Sequence, residues 1–156
     1  MELKLGEWLF QVDPEQTRHR TLENSKDHCK CGYCTNYYEA APMVYPELIS
    51  FLDQFGVNFH GPSEVMPFTP TCMLSCYRVQ GRILRFGTDV LRAGEIPVLP
   101  EAADDDSFFL WVGEMMLPWL QEEAEEDVVS PANLPEFMER MEQIWLLRHG
   151  PESIQS

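Results

Sequence analysis

The sequence is poor in basic residues, with 11 lysines and arginines against 26 aspartates and glutamates and a formal net charge of −15 at pH 7. Binding to nucleic acid or to an anionic membrane needs local clusters of Lys and Arg, so neither is expected as a partner. No apolar run approaches the roughly 18–20 residues of a membrane-spanning helix. The first residues also lack the basic flank, apolar stretch and cleavage site of a signal peptide, so we expect a cytoplasmic protein.

Common catalytic signatures are absent as well. The sequence contains no Gly-rich phosphate loop, no His-Glu-x-x-His zinc helix and no Gly-x-Ser-x-Gly nucleophile elbow. The four histidines are scattered along the chain, and their spacing pairs none of them with a nucleophile. We therefore predict no catalytic residue, and a binding function is favoured over an enzyme.

The aromatic content, in contrast, is high enough to build a core. The chain has 156 residues, of which 44% are hydrophobic and 12% aromatic. Such a composition does not suit a solvated, disordered chain. A chain of about 150 residues can bury a substantial core without disulfides, so we expect one domain over residues 1–156.

The acidic residues are concentrated in the second half of the chain. Between Ala93 and Glu139 there are 13 acids and no Lys or Arg. Runs of like charge usually form solvated faces, and they attract partners of opposite charge. The leading functional prediction is therefore a small acidic interaction protein whose partner carries a basic surface. A homo-oligomer is also compatible with the sequence.

The apolar pattern predicts an α+β fold, with an antiparallel sheet of about four to five strands and helices packed on it. The predicted strands cover residues 2–12, 71–79, 82–86, 96–99 and 107–113. We expect a bend near Gly6, a tight turn at Gln80-Gly81 and a central position for the strand over 107–113. Three prolines between residues 57 and 70 predict a loop.

The helical segments differ in the strength of their pattern. Residues 14–25 are polar and predict a short exposed helix or a loop, whereas Pro46 opens a clearer helix that Gly56 ends. The strongest stripe, over residues 134–148, predicts a long C-terminal helix that packs on the sheet through residues such as Trp145. The predicted sheet core contains Phe108, Leu110, Val112, Leu74 and Leu84.

Three of the five cysteines lie close together, at Cys29, Cys31 and Cys34. We name residues 29–34 the cysteine segment. Structural disulfides are not expected in a cytoplasmic protein. The Cys31-x2-Cys34 spacing lets one turn present two sulfurs to one metal ion, and Cys29 is near enough to be a third ligand. One alternative is therefore a structural zinc site that includes His28.

Several residues can complete such a site. His28 and His60 each offer an imidazole, and Cys72 or Cys76 offers a further thiol. In a regular strand, Cys72 and Cys76 lie about 13 Å apart on one face, so they do not both bind the same ion. We expect these two cysteines to be packing residues, separate from the cysteine segment.

A second alternative is thiol–disulfide chemistry at Cys31 and Cys34. The Cys31-Gly32-Tyr33-Cys34 stretch resembles the active-site dithiol of thioredoxin-like oxidoreductases, and Thr69-Pro70-Thr71 resembles their cis-proline region. That family places the dithiol directly after a buried strand, whereas the polar stretch 13–30 precedes it here. A third alternative is that the thiols are only packed in a tight turn, with Thr35 and Asn36 capping the next helix.

Several short motifs together resemble a family of uncharacterised bacterial proteins. The resemblance covers roughly residues 8–70. It is carried by Cys29-x-Cys31-x2-Cys34-x-Asn36-Tyr37, Pro46-Glu47-Leu48, Phe51-Leu52-x2-Phe55-Gly56-Val57 and Gly61-Pro62-Ser63-Glu64-Val65. It implies no activity, substrate or cofactor, so the functional expectations rest on the residues alone.

Overall fold

An antiparallel sheet and three helices make up the part of the protein that is described. The computed structural model describes residues 1–27, 29–69 and 71–121, and within these ranges the sheet has seven strands. The predicted α+β class with an antiparallel sheet is confirmed, although the sheet has more strands than the four or five predicted. The long helix predicted over residues 134–148, with Trp145, lies outside the described residues.

The strands and helices follow one another in a simple order. They are β1 Glu2–Leu5, β2 Trp8–Val12, α1 Pro14–Lys26, α2 Gly32–Val44, α3 Pro46–Asp53, β3 Glu64–Thr69, β4 Cys72–Arg85, β5 Leu91–Ala93, β6 Ile96–Ala102 and β7 Ser107–Met116. The strand order in the sheet is β1-β2-β4-β7-β6-β5, with β3 paired to β4 outside this path. Strand β7 pairs with β4 on one side and β6 on the other, which confirms the predicted central position of its residues. None of the helices in the described ranges has both the length and the apolar character needed to cross a membrane.

The first strand prediction was wrong, because residues 2–12 form two strands. Strands β1 and β2 make a hairpin in which Leu5 pairs with Trp8. Gly6 has a φ of +59° and lies in the turn between the strands. Glycine adopts this left-handed conformation without the steric cost that a Cβ brings, so Gly6 reverses the chain where a bend was expected.

The tight turn predicted at Gln80-Gly81 is absent, because β4 runs through both residues. Up to Gln80 the strand pairs with β7, and from Gly81 onward it pairs with β2. A Cβ on Gly81 would lie 1.9 Å from the carbonyl oxygen of Gln11. The glycine therefore permits the close approach of β2 at the point where β4 changes partners.

The loop predicted over residues 57–70 contains a strand, β3. It pairs with the first part of β4, from Glu64 opposite Cys76 to Thr69 opposite Cys72. Pro67 lies inside it, and proline is tolerated in a strand at the edge of a sheet, where its missing N–H need not pair. The proline content therefore indicated an edge strand rather than a loop.

Two buried threonines hold helix α1 to β4 and to the loop before β3. The backbone N–H of Gln80 donates to Thr17 Oγ1 at 2.9 Å, and the backbone N–H of Asn58 donates to Thr21 Oγ1 at 2.9 Å. Asp13 caps the helix by accepting a hydrogen bond from the Gln16 N–H. Buried hydroxyl groups, in place of an apolar stripe, attach this helix to its neighbours. The segment can therefore be helical while showing little apolar periodicity.

The predicted core is confirmed except at Leu84. Phe108, Leu110 and Val112 are fully buried in the main core, between the sheet and the helices. Leu74 is buried on the opposite face of the sheet, in a second cluster with residues of β3. Leu84 points to that same face by strand alternation, but lies beyond the part of β4 that β3 covers, and is 47% exposed.

Candidate metal centre

The cysteine segment joins α1 to α2. Cys31 is the N-cap residue of α2, and its carbonyl accepts the hydrogen bond from the Thr35 N–H at 2.9 Å. Cys34 consequently lies in the first turn of the helix. A helix, α1, precedes the dithiol where the thioredoxin-like family has a strand, so the structure does not supply the context of that resemblance. Pro70, in the second part of it, lies outside the described residues.

The three sulfur atoms of the cysteine segment converge. The Sγ atoms of Cys29, Cys31 and Cys34 all lie within 4.8 Å of one another. Cys29 is exposed, Cys31 is half-buried and Cys34 is buried, so the group extends from solvent into the protein. In the described parts of the chain, no other set of cysteine, histidine and carboxylate groups meets this distance.

The surroundings of the three sulfur atoms influence whether the thiols are neutral or ionised. Burial raises the pKa of the Cys34 thiol, and the neighbouring Cys31 and Cys29 raise it further. The backbone N–H of Cys31 donates to Cys29 Sγ at 3.4 Å. A raised pKa favours the neutral thiol of Cys34 over its thiolate. A bound cation would instead stabilise all three thiolates.

The thiols open onto a groove between α1, α2 and β3. It has a volume of about 1170 Å³. The wall from α1 is a polar stripe at helical spacing, made of Gln16, His19, Arg20, Glu23, Asn24 and Asp27. Tyr38 of α2 and residues 62–67 also line the groove, together with all three cysteines. A ligand at the sulfurs would therefore be reachable from solvent.

The structure brings two of the scattered histidines toward this region. His19 lines the groove, and the ring of His60 stacks on that of Tyr38 with 5.2 Å between their centres. His28, the predicted ligand next to Cys29, lies outside the described residues. His60 was predicted as a possible ligand and His19 was not, but no local pattern placed either ring, because their positions depend on contacts between distant segments. Tyr38 follows Cys34 by four residues, a spacing that places both on one helix face.

The third alternative predicted that Thr35 and Asn36 cap α2, but neither residue does. Asn36 lies inside the helix and is 1% exposed. Its Nδ2 donates to the carbonyl of Pro118 at 3.0 Å, and the N–H of Leu120 donates to its Oδ1 at 2.7 Å. Asn36 therefore fixes the chain after β7 against α2.

Helix α2 is further anchored to the sheet by buried hydroxyl groups. The Tyr37 hydroxyl is hydrogen-bonded to Ser75 Oγ at 2.9 Å and to the Tyr77 hydroxyl at 2.6 Å. The Tyr77 hydroxyl donates to the carbonyl of Phe59 at 2.7 Å. This network ties the helix that carries Cys34 to β4 and to the loop that carries His60.

The strand cysteines are in different surroundings. Cys72 and Cys76 both lie in β4, as predicted, and neither belongs to the converging group of thiols. Cys72 is half-buried and packs against the second cluster, which contains Met66, Phe68 and Leu74. Burial raises the pKa of the Cys72 thiol, and the charge of Glu114 adds to this effect.

Comparisons with known proteins give no identity. No family model matches the chain, and no curated protein or solved structure matches it. The resemblance to a family of uncharacterised bacterial proteins therefore stays a prediction.

Proposed function

We propose that the protein binds one zinc ion through Cys29, Cys31 and Cys34. The observation that carries the proposal is the convergence of the three Sγ atoms to within 4.8 Å of one another. Sulfurs at the usual Zn–S length of about 2.3 Å in a tetrahedron lie about 3.8 Å apart. The sulfurs therefore need to approach one another by about 1 Å at most to reach that spacing.

The donor set favours zinc over harder cations. Thiolates are soft ligands that bind zinc and other soft metals, whereas magnesium and calcium take oxygen ligands. The thiols are presented by a short connection between two helices, not by the sheet. A metal ion at this place would fix the angle between α1 and α2, which is a structural role.

Two variants with matched exposure test the proposal. Cys31 and Cys72 are both half-buried free cysteines, but only Cys31 belongs to the converging group. Cys31→Ser should lose stoichiometric zinc in a competition titration with a chromophoric chelator, while Cys72→Ser should bind zinc like the parent chain. Equal zinc binding by both variants would contradict the proposal. Circular dichroism would establish that each variant is folded.

The acidic interaction function predicted from the charge stays a prediction, as do a basic partner and a homo-oligomer. One of these acidic side chains, that of Asp104, is already paired within the chain. Asp104 forms an ion pair with Arg78 at 2.6 Å and accepts hydrogen bonds from the Asp106 N–H and the Ser107 hydroxyl. These hydrogen bonds and Arg78 lower the pKa of Asp104.

A further inference from the structure

Three strands lie at edges of the sheet in the part of the chain that the structure describes. They are β1, β3 and β5, and there each pairs with a single neighbouring strand. An edge strand keeps one row of backbone N–H and C=O groups that its own sheet does not use, and this row can pair with another strand. The three edges differ in how well they suit such a strand.

Strands β3 and β5 are poorly suited to the addition of a strand. Pro67 lies in β3, and proline in an edge strand is one of the devices by which proteins oppose further pairing. Strand β5 has only three residues, with Arg92 in the middle. Two copies of β5 paired along their full length would place one Arg92 opposite the other, and like charges directly opposite are destabilising.

The hydrogen bonds of the first hairpin determine which backbone groups of β1 face outward. The N–H of Val12 donates to the carbonyl of Met1 at 2.8 Å, and the amino group of Met1 donates to the carbonyl of Val12 at 3.1 Å. Hydrogen-bonded and non-hydrogen-bonded pairs alternate along an antiparallel ladder. The backbone groups of Leu3 therefore face β2, whereas those of Glu2 and Lys4 face the free edge.

The side chains of β1 also alternate between charged and apolar. Glu2 and Lys4 are exposed, and neither forms an ion pair with another of the described residues. Leu3 and Leu5 are half-buried and pack against the main core. Successive side chains of a strand point to opposite faces, so Glu2 and Lys4 share the face away from the main core. The edge thus presents one acid and one base, two residues apart.

One symmetric register satisfies both the backbone and the charges. Two antiparallel copies of β1 centred on Leu3 place Glu2 of each copy opposite Lys4 of the other. The backbone groups of both residues face outward, so each of these pairs exchanges two backbone hydrogen bonds. Opposite charges at such positions are stabilising, whereas a register centred on Glu2 or on Lys4 would place like charges opposite each other.

We infer that two copies of this chain dimerise through β1 in the register centred on Leu3 and form one continuous sheet. The contact is isologous, so it uses the same edge of both copies and closes at the dimer. Lys4, a residue type that opposes the approach of other strands, here meets an acid. The inference does not depend on the zinc proposal.

Sedimentation equilibrium of the full chain tests the inference, at about 0.15 M salt to screen the long-range repulsion between two acidic chains. The parent chain should show a concentration-dependent equilibrium between monomer and dimer. Lys4→Glu and Glu2→Lys, each alone, should weaken dimerisation by roughly tenfold or more, because both cross-strand pairs become like-charged. A mixture of these two variants should form dimers again, and so should the double variant Glu2→Lys/Lys4→Glu, since opposite charges then face each other.

Arg92→Glu is the matched control, because it changes the net charge by the same amount as Lys4→Glu but at another edge of the sheet. It should leave dimerisation unchanged, and circular dichroism would establish that each variant is folded. A parent chain that stays monomeric up to about 1 mM would overturn the inference. Failure of the mixture to form dimers, or an equal loss of dimer in Arg92→Glu, would also overturn it.

Disulfide cross-linking provides a second measurement of the register. Residue 3 of one copy lies opposite residue 3 of the other, in a non-hydrogen-bonded pair with Cα atoms about 4.5 Å apart, which is within the range of a disulfide. Oxidised Leu3→Cys should therefore form dimers linked through residue 3, and Leu5→Cys should form none through residue 5. Mass spectrometry of the linked peptides identifies the bond. Linkage through residue 5 and not residue 3 would contradict the register.

Discussion

The three cysteines of the cysteine segment and the two of β4 carry the same functional group in different geometries. In the segment, the chain reverses into the first turn of α2, and the sulfurs meet within 4.8 Å. In β4, the extended backbone separates Cys72 and Cys76 along one face, by about 3.3 Å for each residue. Similar sequence spacing therefore yields a convergent group in one place and separate packing residues in the other.

The contrast extends to what surrounds each group. The segment lies on a groove lined by polar side chains and opens to solvent at Cys29. Cys76 is 2% exposed, and Cys72 packs against apolar residues. A metal site needs convergence and access together, and only the cysteine segment has both among the described residues.

The largest effect is expected when the buried thiols of the two regions are compared. Cys34 and Cys76 are 7% and 2% exposed. Cys34→Ser should abolish stoichiometric zinc binding, since structural zinc sites supply about 10–16 kcal/mol and depend on each thiolate. Cys76→Ser should keep one zinc per chain and lose about 1–3 kcal/mol of folding stability. Metal analysis and urea denaturation measure the two quantities. Equal zinc loss in both variants would contradict the claim that only the cysteine segment binds the metal.

The sheet should depend on packing and not on the metal. Leu110→Ala should lower the free energy of unfolding by about 2–5 kcal/mol, because Leu110 is fully buried in the main core. The matched change Leu84→Ala should cost about 0.5 kcal/mol or less, since this leucine is exposed. Urea denaturation with and without a chelator measures both. A Leu110→Ala cost that vanishes in the presence of the chelator would show that the sheet depends on the metal site.

The hydroxyl network that joins the two regions should contribute a smaller amount. Tyr37→Phe should cost about 1–3 kcal/mol, because Ser75 and Tyr77 would then be left with unpaired hydrogen-bonding groups in the core. Zinc content should not change. Tyr45→Phe is the control, because its hydroxyl donates to the Met116 carbonyl in an exposed position. If Tyr37→Phe also released zinc, the metal site and the sheet would be coupled.

A further effect, of about 1.4 kcal/mol for each proton released and each pH unit, concerns pH. The pKa of Cys34 is raised by burial and by its neighbours, so zinc must displace a proton from this thiol. The apparent zinc affinity should fall as the pH is lowered, by about tenfold for each proton and each pH unit. Competition titrations between about pH 6 and 8, around neutrality, measure how the apparent zinc affinity changes with pH. An affinity that is independent of pH would contradict binding through thiolates.

The sequence was informative where the determining contacts are local. The three cysteines lie within six residues, so their convergence followed from turn geometry alone. The alternation in β4 placed Met73, Tyr77 and Val79 on one face, and these residues share the main core. The apolar run of β7 likewise identified the central strand.

The remaining features depend on contacts between distant segments. Gly81 was interpreted as part of a turn, because the residues around it do not indicate the close approach of Gln11, 70 residues earlier in the chain. The helix α1 lacked an apolar stripe because Thr17 and Thr21 anchor it through hydroxyl groups. His60 was a candidate ligand by residue type alone, since only the folded loop brings its ring to Tyr38.

Native mass spectrometry of the full chain, purified with a reductant and without chelators, tests the central claim most directly. Combined with alkylation of the folded protein, it counts both the bound metal and the free thiols. The account predicts one zinc ion per chain, with Cys29, Cys31 and Cys34 protected until the zinc is removed. A metal-free mass, with the exposed Cys29 alkylated at once and no change on addition of zinc, would contradict it.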